Sequence, residues 1–177
     1  MWTSWRDNRV KRLTLDAALL ALAMGLSYLE FLLPIAAIIP LPGFRLGLAN
    51  LVVMLAFYLL SPLDAAIVSA LRILLSGLLF GSVTSLYFSA LGGLCSYLAL
   101  LLLYCIRAKC SFVGASILSA SAHNFGQIIA AMTLYGVIVA RSYLPYLLLA
   151  SIFYGGLLGF LANLSLRRLQ KAKEGRL

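Results

Sequence analysis

Six long apolar runs divide this chain, and they restrict its fold more than any other feature of the sequence. They cover about residues 13–33, 44–60, 62–80, 86–106, 112–138 and 144–166. Only short connections separate them, and a helix needs about 20 apolar residues to cross a bilayer. The pattern predicts an all-α integral membrane protein, a single domain built as a bundle of six transmembrane helices.

Composition points to the same class of protein. Hydrophobic residues make up 63% of the 177 residues, and charged residues only 11%. A soluble domain carries about 25% charged residues. The chain therefore has no stretch that is polar and long enough to form a separate soluble domain.

The net charge of +9 reflects where the basic residues lie. Four of the 14 Lys and Arg precede the first apolar run, five follow the last, and two lie between the fourth and fifth runs. Under the positive-inside rule this distribution places both termini in the cytoplasm. The same residues suit contacts with anionic membrane lipids, and their position at the ends of the runs argues against nucleic-acid binding.

Polar side chains interrupt the apolar runs at depth. Arg72 and His123 both lie about ten residues from their inner ends, hence about 15 Å into the membrane. The predicted substrate-binding residues are Asn50, Arg72, Ser76, His123, Asn124 and Gln127, with Glu30 and Arg45 at the outer rim. A guanidinium group suits a carboxylate or phosphate. The set predicts an outward cavity for a small, partly apolar, anionic molecule, or else interhelical hydrogen bonds that hold the bundle together.

Two segments suggest further roles, each with an alternative. Ala17, Ala21 and Gly25 form a stripe of small residues on the first helix, suited to internal packing or to docking of a separate membrane subunit. Ser151, Gly155 and Gly159 form a second stripe, predicted to pack closely. The proline-rich connection at residues 34–43 lies at the membrane interface or closes over the cavity, and an outer loop is expected at Arg141.

The sequence predicts no catalytic site, no metal site and no cofactor. The three cysteines form no CxxC pair, and His123 is the only histidine. Chemistry on a diphosphate with Mg²⁺ needs clustered carboxylates. No two of the five acidic residues lie within one helical turn of each other.

Four segments resemble motifs of a bacterial family, the heptaprenyl diphosphate synthase component I family, also called the Gx transporter family. They are RLGLANLVVML at 45–55, LRILLSGLLFG at 71–81, ALGG at 90–93 and AHNFGQ at 122–127. The resemblance extends from about Leu13 to Ala162. The family's usual pattern has Lys at the position of Arg45, a change that keeps the charge.

The resemblance carries expectations of its own. The family is similar in size and span number to the substrate-capture (S) components of energy-coupling-factor transporters, which implies a bacterial cytoplasmic membrane protein. Such components dock to a transmembrane coupling subunit, and two ATPases power the cycle. The stripe at Ala17, Ala21 and Gly25 matches their docking face. The family name implies instead a non-catalytic partner of a prenyl diphosphate synthase, and an autonomous carrier is a third hypothesis.

Overall fold

The computed structural model describes residues 9–33, 45–106 and 110–173, without the side chains of 139, 140 and 165–173. Its helices are α1 Arg9–Leu32, α2 Asn50–Leu59, α3 Pro62–Leu79, α4 Val83–Cys105, α5 Phe112–Tyr135 and α6 Val137–Lys173. Every regular element in these ranges is an α-helix, which confirms the predicted all-α class. The predicted connection at 34–43 lies outside the described residues.

Four stretches of helix are long and apolar enough to cross a membrane: Arg9–Leu32, Pro62–Leu79, Val83–Cys105 and Arg141–Leu164. Helix α5 is also 24 residues long, but it carries serine, histidine, asparagine and glutamine side chains and is not among these four. Helix α2 has only ten residues. The described chain is therefore a multi-pass membrane protein with four helices that meet the criteria for a span.

The structure departs from the predicted spans at two places. The second run, predicted as a span over 44–60, is helical only from Asn50 to Leu59. The loop expected at Arg141 is wrong. Helix α5 ends at Tyr135, Gly136 follows with φ 91°, and α6 begins at Val137 and continues through Pro145. Glycine adopts this positive φ without strain, so the chain turns before Arg141 rather than at it.

Helix α2 lies at the centre of the bundle. Eight of its ten residues are buried, and it contacts each of the other five helices. Those helices surround it in the order α1, α3, α4, α5, α6, each packed on the next. A helix that is apolar on all sides is expected to be buried in this way. Helix α2 supplies seven of the 15 buried residues in the larger hydrophobic cluster of the described chain.

Contacts between residues near the helix termini show which termini lie at the same end of the bundle. Arg12 of α1 pairs with Asp64 of α3, with Nη2 2.5 Å from Oδ1. The rings of Tyr58 and Phe112 lie 4.8 Å apart, which brings the end of α2 to the start of α5. We call this the basic end, because α1 begins there with basic residues. Phe31 and Phe80 meet at the opposite end, with ring centroids 5.8 Å apart.

The two small-residue stripes have different surroundings. A Cβ on Gly155 would lie 2.8 Å from Ile117 Cα, and one on Gly159 would lie 2.7 Å from Val113 Cα. The second stripe is therefore the close contact between α5 and α6 that the spacing predicts. Ala17, Ala21 and Gly25 are instead exposed, and a Cβ on Gly25 would meet no atom within 4 Å. In the described part of the chain, the stripe on α1 is therefore not packed inside the bundle.

Candidate functional site

The chain is not helical over residues 45–49, immediately before α2, and this break lies deep in the bundle. Asn50, the first residue of α2, bonds to Arg72, which lies ten residues into α3 and so about 15 Å from its start. Ten helical residues extend only about 15 Å, half of a hydrocarbon core about 30 Å thick. Irregular backbone at this depth is tolerated only where protein or water satisfies it.

Two of the predicted site residues satisfy the backbone of the break. Gln127 Oε1 accepts from the Arg45 N–H at 3.1 Å, and Gln127 Nε2 donates to the Arg45 carbonyl at 2.6 Å. Glu30 Oε1 accepts from the N–H of Leu48. The break is therefore held by side chains from α5 and α1, in addition to the bonds that its carbonyls accept from the first N–H groups of α2.

The imidazole of His123 packs between two glycines. A Cβ on Gly92 would lie 2.6 Å from its Cε1, and a Cβ on Gly47 would lie 3.0 Å from its Cδ2. Gly47 also has φ 83°, a conformation that side-chain-bearing residues rarely adopt. Gln127 Nε2 also bonds to His123 Nε2. Because an amide nitrogen only donates, His123 Nε2 accepts and its proton is on Nδ1.

One arginine reaches the break from α3, and the other lies in the break and reaches α4. Arg72 Nη2 donates to Asn50 Oδ1 at 3.1 Å, and Arg45 Nε donates to Ser85 Oγ at 2.7 Å. Glu30 and Arg45, expected at the outer rim, are 3% and 6% exposed and belong to the same group of contacts. We call this group the buried polar cluster; its members are Glu30, Arg45, Asn50, Arg72, His123 and Gln127.

The remaining predicted residues make contacts elsewhere. Ser76 Oγ donates to the Ile73 carbonyl of its own helix at 3.2 Å. Asn124 Nδ2 donates to the Leu147 carbonyl of α6 at 2.7 Å. Both side chains are buried, and the bond from Asn124 is of the kind that links helices.

The buried polar cluster holds two cations and one carboxylate. Glu30 lies close enough to interact electrostatically with Arg45 and with Arg72. Neither arginine, however, has a nitrogen within 4 Å of a Glu30 oxygen. The ion pair of that length among the described residues is Arg12 with Asp64. Several of the cluster's buried atoms have no hydrogen-bond partner: Glu30 Oε2, Arg45 Nη1, Asn50 Nδ2, Arg72 Nε and His123 Nδ1.

A small cavity adjoins the cluster between α2, α5 and α6. Gly47, Asn50, Ser119 and Tyr154 are among its lining residues, and its volume is about 10 Å³. This is room for about one water molecule, whereas small-molecule pockets have volumes of about 300–1,000 Å³. This cavity between the described helices is therefore too small for a substrate molecule.

The sequence missed the roles of Gly47 and Ser85. Gly47 lies between Arg45 and Asn50 in one of the quoted motifs, so a helix-breaking residue in an apolar run was the available signal. Ser85 carried no signal, because its partner Arg45 is 40 residues away. Among the residues that the structure describes, no group of three His, Cys, Asp or Glu side chains is placed to hold a metal ion.

Comparison with known protein families gives a match over most of the chain. Residues 19–165 match the family described as heptaprenyl diphosphate synthase component I. No curated protein and no solved structure matches the chain. The match includes all but the first ten residues of α1 and all six members of the buried polar cluster. The chain belongs to the heptaprenyl diphosphate synthase component I family.

Proposed function

We propose that this chain is the substrate-capture membrane component of an uptake transporter of the energy-coupling-factor type. Its substrate is a small, partly apolar, anionic molecule, of the class of a vitamin, a flavin, or a quinone or isoprenoid precursor. The chain itself binds the substrate and performs no catalysis. A transmembrane coupling subunit and two ATPases provide the energy.

The observation that carries this proposal is the break at residues 45–49. Transporters commonly build their substrate sites from discontinuous helices, where the freed backbone groups and the helix terminus face the substrate near the middle of the membrane. Here Asn50, the first residue of α2, accepts a hydrogen bond from Arg72. A chain that only had to pack helices would not need an irregular segment at this depth.

The charge of the cluster supports an anionic substrate. Arg45 and Arg72 are almost fully buried, and Glu30 is the cluster's one carboxylate. An intramembrane charge usually faces a partner or a ligand pathway, because its desolvation is costly. The side chains of two arginines with unpaired nitrogens favour a carboxylate or phosphate group on the substrate.

The exposed stripe on α1 supports docking of a second membrane subunit. Small residues allow two helix backbones to approach closely, and Ala17, Ala21 and Gly25 are exposed in the bundle. The sequence has no glycine-rich loop followed by lysine for nucleotide phosphates. ATP hydrolysis is therefore assigned to partner subunits.

The membrane arrangement completes the proposal. Six spans place both termini in the cytoplasm, with the basic end inward under the positive-inside rule. Helix α2 forms the inner half of the second span. The basic residues of α1 that precede the membrane meet the lipid headgroups at this surface.

Purification of the tagged chain from native membranes tests the proposal. We expect a coupling subunit and two ATPases to copurify with the wild-type chain and to be lost with Gly25→Leu, which blocks close approach at the stripe. Gly156→Leu is the matched control, because a Cβ on Gly156 also meets no atom within 4 Å but lies on α6. Copurification of a soluble prenyl diphosphate synthase, with neither coupling subunit nor ATPases, would contradict the uptake role.

A further inference from the structure

The N-terminus of α2 is occupied by a carboxylate of the chain itself. Glu30 Oε1 accepts from the N–H of Leu48, two residues before the helix begins. Helix N-termini attract anions, because the helix dipole and unused N–H groups favour negative charge. The first N–H groups of α2 bond to the carbonyls of residues 47–49, so the N–H that engages the anion here is that of Leu48. The break thus presents an anion position inside the bundle, and Glu30 fills it.

Three donors around this position are buried and unpaired. Arg45 Nη1, Asn50 Nδ2 and Arg72 Nε have no hydrogen-bond partner, and their residues are 6%, 7% and 1% exposed. Asn50 Nδ2 lies only 2.9 Å from the point that a Cβ on Gly47 would occupy, so it faces the break itself. Unpaired buried donors cost free energy, and a bound anion would accept from them.

Glu30 satisfies this position incompletely. Its Oε2 has no partner among the described residues, and neither of its oxygens comes within 4 Å of a nitrogen of Arg45 or Arg72. The neighbouring cavity of about 10 Å³ has room for about one water molecule. A carboxylate that enters from outside therefore needs more space than this cavity provides. It also needs hydrogen-bond donors, one of which, the N–H of Leu48, is already engaged by Glu30.

We propose that the anionic group of the substrate, a carboxylate or a phosphate, binds at the N-terminus of α2 and competes there with Glu30. Glu30 is the internal counter-anion of the empty site. The entering anion accepts from Arg45, Asn50 and Arg72, and it weakens the hold of Glu30 on Leu48. This inference rests on the proposed function, and it names the group of the substrate that the site recognises.

Titration of the purified chain in a neutral detergent tests the competition. The probes are benzoate, its neutral isostere benzamide, and inorganic phosphate, and the dissociation constant is taken from the rise of the unfolding temperature with concentration. We expect stabilisation of the wild-type chain by benzoate or phosphate and none by benzamide. Glu30→Gln keeps an acceptor for Leu48 but removes the charge, so it binds benzoate about tenfold more tightly, equivalent to one charge-assisted hydrogen bond.

Two further variants make the comparison interpretable. Asp16→Asn removes a carboxylate from the same helix nearer the basic end, and it leaves the affinity for benzoate unchanged. Glu30→Asp keeps the charge but draws it back from Leu48 by one methylene, and an intermediate gain is expected. This second variant preserves the test where Glu30→Gln does not fold.

Each other outcome overturns a stated part of the proposal. Equal or weaker benzoate affinity in folded Glu30→Gln overturns the competition and leaves the uptake role standing. If neither anion stabilises the folded wild-type chain, the anion site is overturned. The uptake role is then still tested separately, by copurification of the ATPases. Stabilisation by added phosphatidylglycerol alone would identify a lipid headgroup as the occupant and would overturn the assignment to a transported substrate.

Discussion

Replacement of Gln127 by leucine tests whether the break at residues 45–49 depends on a side chain from α5. Gln127 is 1% exposed and bonds both to the N–H and to the carbonyl of Arg45. Leucine has a similar volume but no polar atoms. Gln127→Leu therefore leaves two backbone groups buried and unpaired, besides removing the bond to His123.

The expected cost follows from those two groups. Each unpaired buried backbone group costs about 1–3 kcal/mol, so Gln127→Leu lowers the free energy of unfolding by about 2–6 kcal/mol. Asn124→Leu is the matched control on the same helix. It removes one bond to the Leu147 carbonyl, which keeps its own partner within α6, and bonds of this kind between membrane helices average about 0.6 kcal/mol.

Unfolding in mixed detergent–SDS micelles, followed by far-ultraviolet circular dichroism, measures both variants against the wild-type chain. The structure predicts that Gln127→Leu is destabilised more than Asn124→Leu by at least about 1 kcal/mol. Equal losses, or a larger loss for Asn124→Leu, would refute the role of Gln127 in holding the break.

Two more substitutions follow from the contacts of the bundle. Gly92→Ala places a Cβ 2.6 Å from His123 Cε1, and such overpacking lowers the free energy of unfolding by about 1–3 kcal/mol. Gly156→Ala is the control, because a Cβ there meets no atom within 4 Å. In the same unfolding assay it is neutral or stabilising by up to about 1 kcal/mol. Arg12→Ala removes the ion pair with Asp64 at the basic end; because the Arg12 side chain is 36% exposed, the loss is about 1 kcal/mol or less. This difference from wild type shrinks in high salt, since screening already weakens the pair, and a loss that is independent of salt would contradict an electrostatic role.

The membrane class, the apolar helices and the family could be predicted from the sequence, because hydropathy and local motifs carry that information. The break before α2 could not. Residues 44–60 form one apolar run, and the partner that satisfies Arg45 is 82 residues away in Gln127. Contacts between distant residues decide where that run is helical, and the periodicity of the sequence does not reveal such contacts.

The candidate residues show the same limit. The position of polar side chains in apolar runs predicted that Arg72, His123 and Gln127 lie inside the bundle, and all three are buried. Polarity did not indicate that Asn124 bonds to α6, nor that Glu30 reaches the backbone of Leu48. Likewise, Arg141 suggested a loop, but the turn lies at Gly136, where glycine adopts a positive φ.

Native mass spectrometry of the chain purified from its own membranes tests the central claim most directly. We predict one bound small molecule with a carboxylate or phosphate group in the wild-type protein, and its loss in Arg72→Ala that remains folded in the membrane. The same adduct on both proteins would contradict this account, because it would show that Arg72 does not bind the molecule. An Arg72→Ala chain that is lost from the membrane would also contradict it, because it would show that Arg72 holds the bundle together.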